Sequence, residues 1–144
     1  MAVAALLAVS PIAADAADEL RLDDYHGKVV VLDFWASWCV PCRRSFPWMN
    51  EMQAKYGDDG LVVIAVNLDN DASEARAFLQ QYPAQFTIVY DPDRSLAHDY
   101  DVQVMPSSYL IGRDGNVIER HLGFKTAKTD EYEAAIVAAI RATN

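Results

Sequence analysis

The sequence contains only two cysteines, three histidines and 12 basic residues in 144 positions. Two cysteines are too few for a scaffold that depends on several disulfides. A zinc site takes four ligands, and His26, His98 and His121 lack the close spacing that zinc sites use. Because 21 acidic residues give a net charge of −9, nucleic acid and anionic membrane surfaces are poor partners. We therefore expect neither a metal site nor a nucleic-acid interface.

The first 18 residues are mostly Ala, Val, Leu and Ile. Ala14-Asp15-Ala16 resembles a small-x-small cleavage site, so residues 1–18 are expected to be part of a secretory signal or an anchor. No Lys or Arg precedes Arg21, so the basic first region of such a signal is missing, and an alanine-rich tail is the alternative. The run is too short to span a bilayer as a helix. Residues 19–144 are expected to form one domain.

The two cysteines stand two residues apart, in Cys39-Val40-Pro41-Cys42. A β-branched apolar run precedes them, and an amphipathic pattern typical of a helix follows. Free backbone N–H groups at a helix N-terminus stabilise a thiolate, and Pro41 fits the first turn. We expect Cys39 to be open to solvent and Cys42 to be turned inward, which suits thiol–disulfide exchange. Half of a zinc site and an inert structural disulfide are the alternatives.

Asp33 interrupts the apolar run Val29–Phe34. Burying a carboxyl group is costly, so its presence beside a redox pair favours a role in chemistry. The sequence predicts a buried acid/base whose pKa is raised by desolvation and which helps Cys42 lose its proton, through water. The alternative is an acid at the strand end that faces solvent.

The segment from Asp33 to Arg43, Asp-Phe-Trp-Ala-Ser-Trp-Cys-Val-Pro-Cys-Arg, resembles the active-site segment of the thioredoxin superfamily. Its Trp-Cys-x-Pro-Cys form resembles the bacterial TlpA/ResA-like branch. The resemblance implies an α/β thioredoxin-like fold, in which a central mixed sheet has helices on both faces and carries the TlpA-type central insertion. Thioredoxins also have an aspartate at the place of Asp33 and a proline at the place of Pro47.

A second matching stretch contains Met105-Pro106. The resemblance implies that this bond is cis, that Pro106 packs beside the cysteines and that the backbone of Met105 pairs with an extended substrate peptide. A trans proline at a strand start is the alternative. The substrate-binding residues implied are Trp38, Val40, Pro41, Met105 and Pro106. TlpA-like proteins often have a glutamate where this chain has Ser45, so the role of that acid is not assigned here. Some ResA-like proteins have an active-site glutamate in the loop where this chain has Asp69 and Asn70, and that role is not assigned here either.

The remaining pattern predicts where the other elements lie. Residues 19–25 are expected to form a first strand or a lead-in. Helices are expected over residues 40–56, 72–81, 91–100 and 131–141, and strands over residues 61–68 and 86–90. An Asp-Gly turn at residues 113–116 predicts a hairpin between residues 109–111 and 117–118.

The resemblance implies a periplasmic protein, or one anchored to a membrane and facing the periplasm, that reduces protein disulfides. Cys39 would attack the target, Cys42 would resolve the mixed disulfide, and no cofactor would be needed. A membrane electron donor of the CcdA/DsbD type would re-reduce the protein, which is expected to be a monomer. Cytochrome c maturation would be typical work.

Three other activities remain open. The same fold can serve a disulfide oxidase or isomerase, because the dipeptide Val40-Pro41 does not fix a reduction potential. Peroxiredoxins share the fold but place a threonine three residues before the reactive cysteine, where this chain has Ala36. Copper carriers of related fold usually separate their cysteines by three residues instead of two.

Overall fold

The computed structural model describes residues 20–142. Five strands form one sheet: β1 (Val29–Trp35), β2 (Leu61–Asn67), β3 (Thr87–Tyr90), β4 (Ser107–Ile111) and β5 (Val117–Leu122). Their order is β3-β2-β1-β4-β5. The pairs β1–β2 and β2–β3 are parallel, whereas β4 runs antiparallel to β1 and to β5. This mixed sheet confirms the thioredoxin-like fold.

In this described part of the chain, four α-helices connect and cover the strands: α1 (Val40–Tyr56), α2 (Ala72–Gln81), α3 (Ser95–Asp99) and α4 (Thr129–Arg141). Short 3₁₀ turns occupy Leu22–Tyr25, Gly57–Asp59 and Thr126–Lys128. None of the helices within residues 20–142 is both long and apolar enough to cross a membrane. The expected signal or anchor at residues 1–18 lies outside the described residues.

The central strand β1 is buried along its whole length. Both faces of the sheet are covered, which explains why its sequence is a continuous apolar run and does not alternate. Val29, Val31 and Trp35 belong to the core that includes buried residues of α1, α2 and α4. The intervening side chains pack into a second core with α3 and the first 3₁₀ turn.

For residues 19–25 the sequence left two alternatives, a first strand and a lead-in. The strand is wrong, because Leu22–Tyr25 forms a 3₁₀ turn that leads into β1, and residue 19 lies outside the described residues. The turn is closed by a hydrogen bond from the backbone N–H of His26 to the carbonyl of Asp23, at 3.2 Å. The adjacent acids Asp23 and Asp24 leave too few apolar positions for a buried strand. The other predicted elements are present, with ends that differ by a few residues.

Helix α1 keeps Pro47 inside it, as predicted. Its buried side chains include Phe46, Met49 and Met52. The ring of Phe46 lies 4.8 Å from that of Trp35 on β1 and 5.0 Å from that of Phe78 on α2. These edge-to-face contacts hold the helix against the strand that precedes it, and so fix the turn between them.

Candidate active site

The two cysteines form a disulfide across the first turn of α1, with Cα atoms 5.4 Å apart. Cys39 is the N-cap residue of the helix, and its sulfur accepts a hydrogen bond from the backbone N–H of Cys42 at 3.3 Å. The first turn of α1 has no acidic residue. This N–H group and the positive end of the helix dipole would stabilise a thiolate on Cys39 after reduction.

Cys39 is less accessible than the sequence predicts. It is only 4% exposed, because its sulfur folds back over the first turn toward Cys42, which is fully buried. The two residues next to Cys39 in the chain are exposed instead, Trp38 at 59% and Val40 at 54%. The prediction that Cys39 is open to solvent is therefore wrong for the oxidised protein, whereas the prediction that Cys42 is turned inward is confirmed.

Asp33 lies in the middle of β1 on the side that faces α1, and it is 3% exposed. Burial raises the pKa of its carboxyl group well above the usual range. Its Oδ2 atom has no hydrogen-bond partner among residues 20–142. The sequence alternative, an acid that faces solvent, is excluded. The proposed transfer of a proton between Asp33 and Cys42 remains a prediction.

Asp33 also lines a cavity of about 30 Å³. Ser45 and Met49 of α1 and Pro106 line the same cavity. A volume of this size holds a couple of water molecules. The carboxyl group of Asp33 therefore borders a space that water can occupy.

The bond between Met105 and Pro106 is cis, as the resemblance implies, and the alternative of a trans proline is wrong. Pro106 is buried, and its carbonyl accepts a hydrogen bond from the backbone N–H of Gly123 at 2.7 Å. Met105 packs against the core that contains both cysteines. Beside it, Val104 is exposed. The role of the Met105 backbone in binding a peptide stays a prediction.

A buried carboxylate that the sequence left without a role ties the active-site turn to the rest of the domain. Asp69 follows β2 and accepts hydrogen bonds from the backbone N–H (3.0 Å) and the hydroxyl (2.8 Å) of Ser37. It also accepts one from the side-chain amide of Asn67, at 2.7 Å. The sequence did contain a signal for this contact, because Asp69 is an acid placed directly after a buried strand. Its partner Ser37 lies 32 residues away in the chain, so the sequence pattern did not identify it.

Within the described residues, no three His, Cys, Asp or Glu side chains are grouped so that they could hold a metal ion. The reactive groups of the arrangement are its two sulfurs and the carboxyl group beside α1. A strand, a helix N-terminus and a cis-proline turn bring these groups to one end of the sheet.

A family model described as Redoxin matches residues 6–136 of the chain. The chain belongs to the Redoxin family. Among curated proteins it is similar to the thiol-disulfide oxidoreductase ResA of Bacillus cereus, with 36% identity over 108 residues, 75% of this chain and 62% of that protein. It is 34% identical to ResA of Bacillus subtilis over 107 residues, 74% of this chain and 60% of that protein. The chain thus spans about three fifths of the length of these relatives.

Solved structures that are similar to this Redoxin chain have the same fold. A Chlorobium tepidum structure assigned as a thiol:disulfide interchange protein DsbE has 51% identity and a TM-score of 0.82, over 84% of this chain and 86% of that one. A Neisseria meningitidis structure assigned as a thioredoxin has 27% identity and a TM-score of 0.76, over 85% of this chain and 81% of that one. The resemblance read from the active-site segment is confirmed.

Proposed function

We propose that this protein is a thiol-disulfide oxidoreductase that reduces disulfides in other proteins. The observation that carries the proposal is the disulfide between Cys39 and Cys42 at the N-terminus of α1, with the buried carboxyl group of Asp33 on the same side of the sheet. A structural disulfide would need neither a hydrogen-bonded cap position nor a desolvated acid nearby. The names of the ResA relatives support the same activity.

The reaction would begin with the reduced protein. The thiolate of Cys39 attacks one sulfur of the target disulfide, forms a mixed disulfide and releases the other target sulfur as a thiolate. Cys42 then gives its proton to the carboxylate of Asp33, and its thiolate attacks the sulfur of Cys39. The second target sulfur leaves, and two electrons have passed to the target. A carboxyl group whose pKa is raised by burial is suited to take this proton.

The target would dock on the apolar residues around the disulfide. Trp38, Val40 and Val104 are exposed although they are hydrophobic, and exposed apolar side chains that cluster beside a reactive group mark a binding surface. Pro41 and Pro106 would shape the floor of this surface. An extended segment of the target would pair with the backbone of Met105, which would present its disulfide to Cys39.

We further propose that the protein works outside the cytoplasm, in the periplasm or anchored to a membrane and facing the periplasm. A membrane donor of the CcdA/DsbD type would return it to the reduced state, and it would act as a monomer in cytochrome c maturation. The alanine-rich start supports this location. So does the similarity to the pneumococcal exposed lipoprotein thioredoxin, at 28% identity and a TM-score of 0.71.

Trapping tests whether the targets are proteins. In Cys42→Ser the mixed disulfide cannot be resolved, so the variant should accumulate protein partners that are released by reductant and that mass spectrometry identifies. Cys39→Ser is the matched control, because it keeps one cysteine but lacks the attacking sulfur. Equal recovery of partners with both variants would contradict the proposal.

A redox titration tests the direction of electron flow. After equilibration with glutathione buffers, a reductase should show a potential nearer to about −270 mV, as in thioredoxin, than to about −120 mV, as in a strong disulfide oxidant. Alkylation of the free thiols and mass measurement give the reduced fraction at each buffer ratio. A value near the oxidising end would replace the reductase by the oxidase alternative.

A further inference from the structure

Three polar side chains stand in one row across three neighbouring strands. Asp33 on β1 is the register partner of Ser108 on β4, and Ser108 is the register partner of His121 on β5. Directly opposed residues of antiparallel strands place their side chains on the same face of the sheet. The row therefore leads from the buried centre of the sheet to its edge strand, on the side that α1 and α4 cover.

The same three residues line the cavity beside Asp33. Three aromatic residues line the cavity as well: Trp48 of α1, Phe124 before α4, and Tyr132 of α4. Asp33 and His121 therefore line one cavity, whose volume of about 30 Å³ holds a couple of water molecules.

His121 also faces the outside. With Tyr132 it lines a second, open groove on the surface as well as the inner cavity. Its side chain is 27% exposed, and its Nε2 atom lies 2.8 Å from Oε2 of Glu119. Its ring stacks on that of Tyr132, with the ring centres 4.6 Å apart. Two neighbours therefore fix the imidazole at the boundary between the cavity and solvent.

We propose that His121 carries the proton of Asp33 between the cavity and solvent during the step in which Cys42 resolves the mixed disulfide. This inference rests on the proposed role of Asp33 in deprotonating Cys42. The two ring nitrogens of a histidine allow it to accept a proton on one side and to release one on the other. His121 does not touch the sulfurs, so it acts through Asp33.

The proton and electron transfers balance without another reactant. Cys42 transfers its proton to the Asp33 carboxylate, and its thiolate displaces the target sulfur from Cys39. The carboxylic acid then passes the proton, through cavity water or the hydroxyl of Ser108, to the imidazole. The imidazolium releases it to solvent or to the Glu119 carboxylate, so that Asp33 is a carboxylate again. The two electrons go only to the target disulfide.

The charged groups around His121 come from several elements of the fold. Asp33 faces it from β1 across the cavity, and Glu119 lies on its own strand. The other charged or titratable residues of the outer groove are Arg120, Lys125, Lys128, Glu131 and Tyr132. Acidic and basic side chains are therefore mixed in the groove that His121 lines.

A single-turnover reaction with a small aromatic disulfide such as dithiodipyridine tests the inference. The reduced protein releases one thiopyridone when Cys39 attacks and a second when Cys42 resolves, so stopped-flow absorbance separates the two steps. In His121→Gln the second step should slow by about tenfold, less than the roughly 10²–10⁴-fold effect of a direct general base. The first step should not change. Free imidazole should restore the second step in His121→Ala.

His98→Gln is the matched control, because His98 lies exposed on α3 and should leave both steps unchanged. In an Asp33→Asn background, His121→Gln should add no further slowing. Unchanged second steps in both His121 variants, or a slow step that does not respond to imidazole, would overturn the inference. Reduction of insulin by the wild type tests the proposed function separately, since the small disulfide needs no protein-binding surface.

Discussion

One carboxyl group is buried in the middle of β1 and another in the loop after β3, but the two differ in their hydrogen bonds. Asp91 accepts hydrogen bonds from the backbone N–H groups of Leu96 (3.2 Å) and Ala97 (3.0 Å) and from the hydroxyl of Ser95 (3.2 Å). Asp33 is equally buried, yet its Oδ2 atom has no partner within residues 20–142 and the carboxyl group lines a cavity. Burial alone therefore does not separate a structural acid from a chemical one.

The number of hydrogen bonds distinguishes a structural buried carboxyl group from a reactive one. A buried carboxylate with several donors holds two segments together, since each donor would otherwise be left unpaired. A buried carboxyl group without them lowers stability and is free to gain or lose a proton. Asp69, with bonds to Ser37 and Asn67, resembles Asp91 in this respect although it lies beside the active-site turn.

Replacing Asp33 by asparagine should give the largest effect, because it removes the acid without changing its shape. We expect the step in which Cys42 resolves the mixed disulfide to slow by about 10²-fold, the lower end of the range for a general base. Single-turnover kinetics measure it, and Asp91→Asn is the control that should leave the rate unchanged. A rate within twofold of the wild type would remove Asp33 from the mechanism.

The same variant should change how stability depends on pH. Because burial raises the pKa of Asp33 in the folded protein, the folded state keeps this proton at pH values where the unfolded chain has lost it. The free energy of unfolding should therefore fall as pH rises from the unfolded pKa toward the folded pKa. Asp33→Asn should lack this fall and be more stable than the wild type at the higher pH values, as urea unfolding at several pH values would show.

The site was predictable from the sequence where local pattern determines it. Cys39 and Cys42 lie between the apolar run of β1 and the amphipathic pattern of α1, with Pro41 in the first turn of the helix. These local features place the cysteines at a helix N-terminus, and no contact with a distant segment is needed to predict it. The burial of Asp33 followed from the same run.

The parts that escaped prediction depend on contacts between distant segments. The bonds from Ser37 to Asp69 and the row that joins Asp33 to His121 require strand register and loop packing. Hydrophobic periodicity says which face a residue occupies, but not which residue stands opposite it. The low exposure of Cys39 likewise depends on how its sulfur turns toward Cys42 at the helix cap.

Removing the carboxylate of Asp91 should have the next largest effect, on stability alone. Asp91→Ala leaves the buried N–H group of Ala97 and the partly buried N–H group of Leu96 without this partner. We expect a loss of about 1–3 kcal/mol in the free energy of unfolding. The urea midpoint should shift with little change in slope. The control is Asp93→Ala, which removes one exposed hydrogen bond that the Asp93 carboxylate accepts from the backbone N–H of Ser95 and which should cost less stability. A slower single turnover in Asp91→Ala would break the distinction drawn between the two acids.

The smallest effect is expected at Asp71, an exposed acid that has the opposite pH dependence from Asp33. Asp71 is the N-cap of α2 and accepts a hydrogen bond from the backbone N–H of Ser73 at 2.8 Å, which lowers the pKa of its carboxyl group. Its contribution to stability is complete above the unfolded pKa and is lost as pH falls through the folded pKa. Thermal unfolding of Asp71→Ala should therefore differ from the wild type near neutral pH and approach it in acid. A difference that stays constant with pH would mean that the cap acts through its shape and not through its charge.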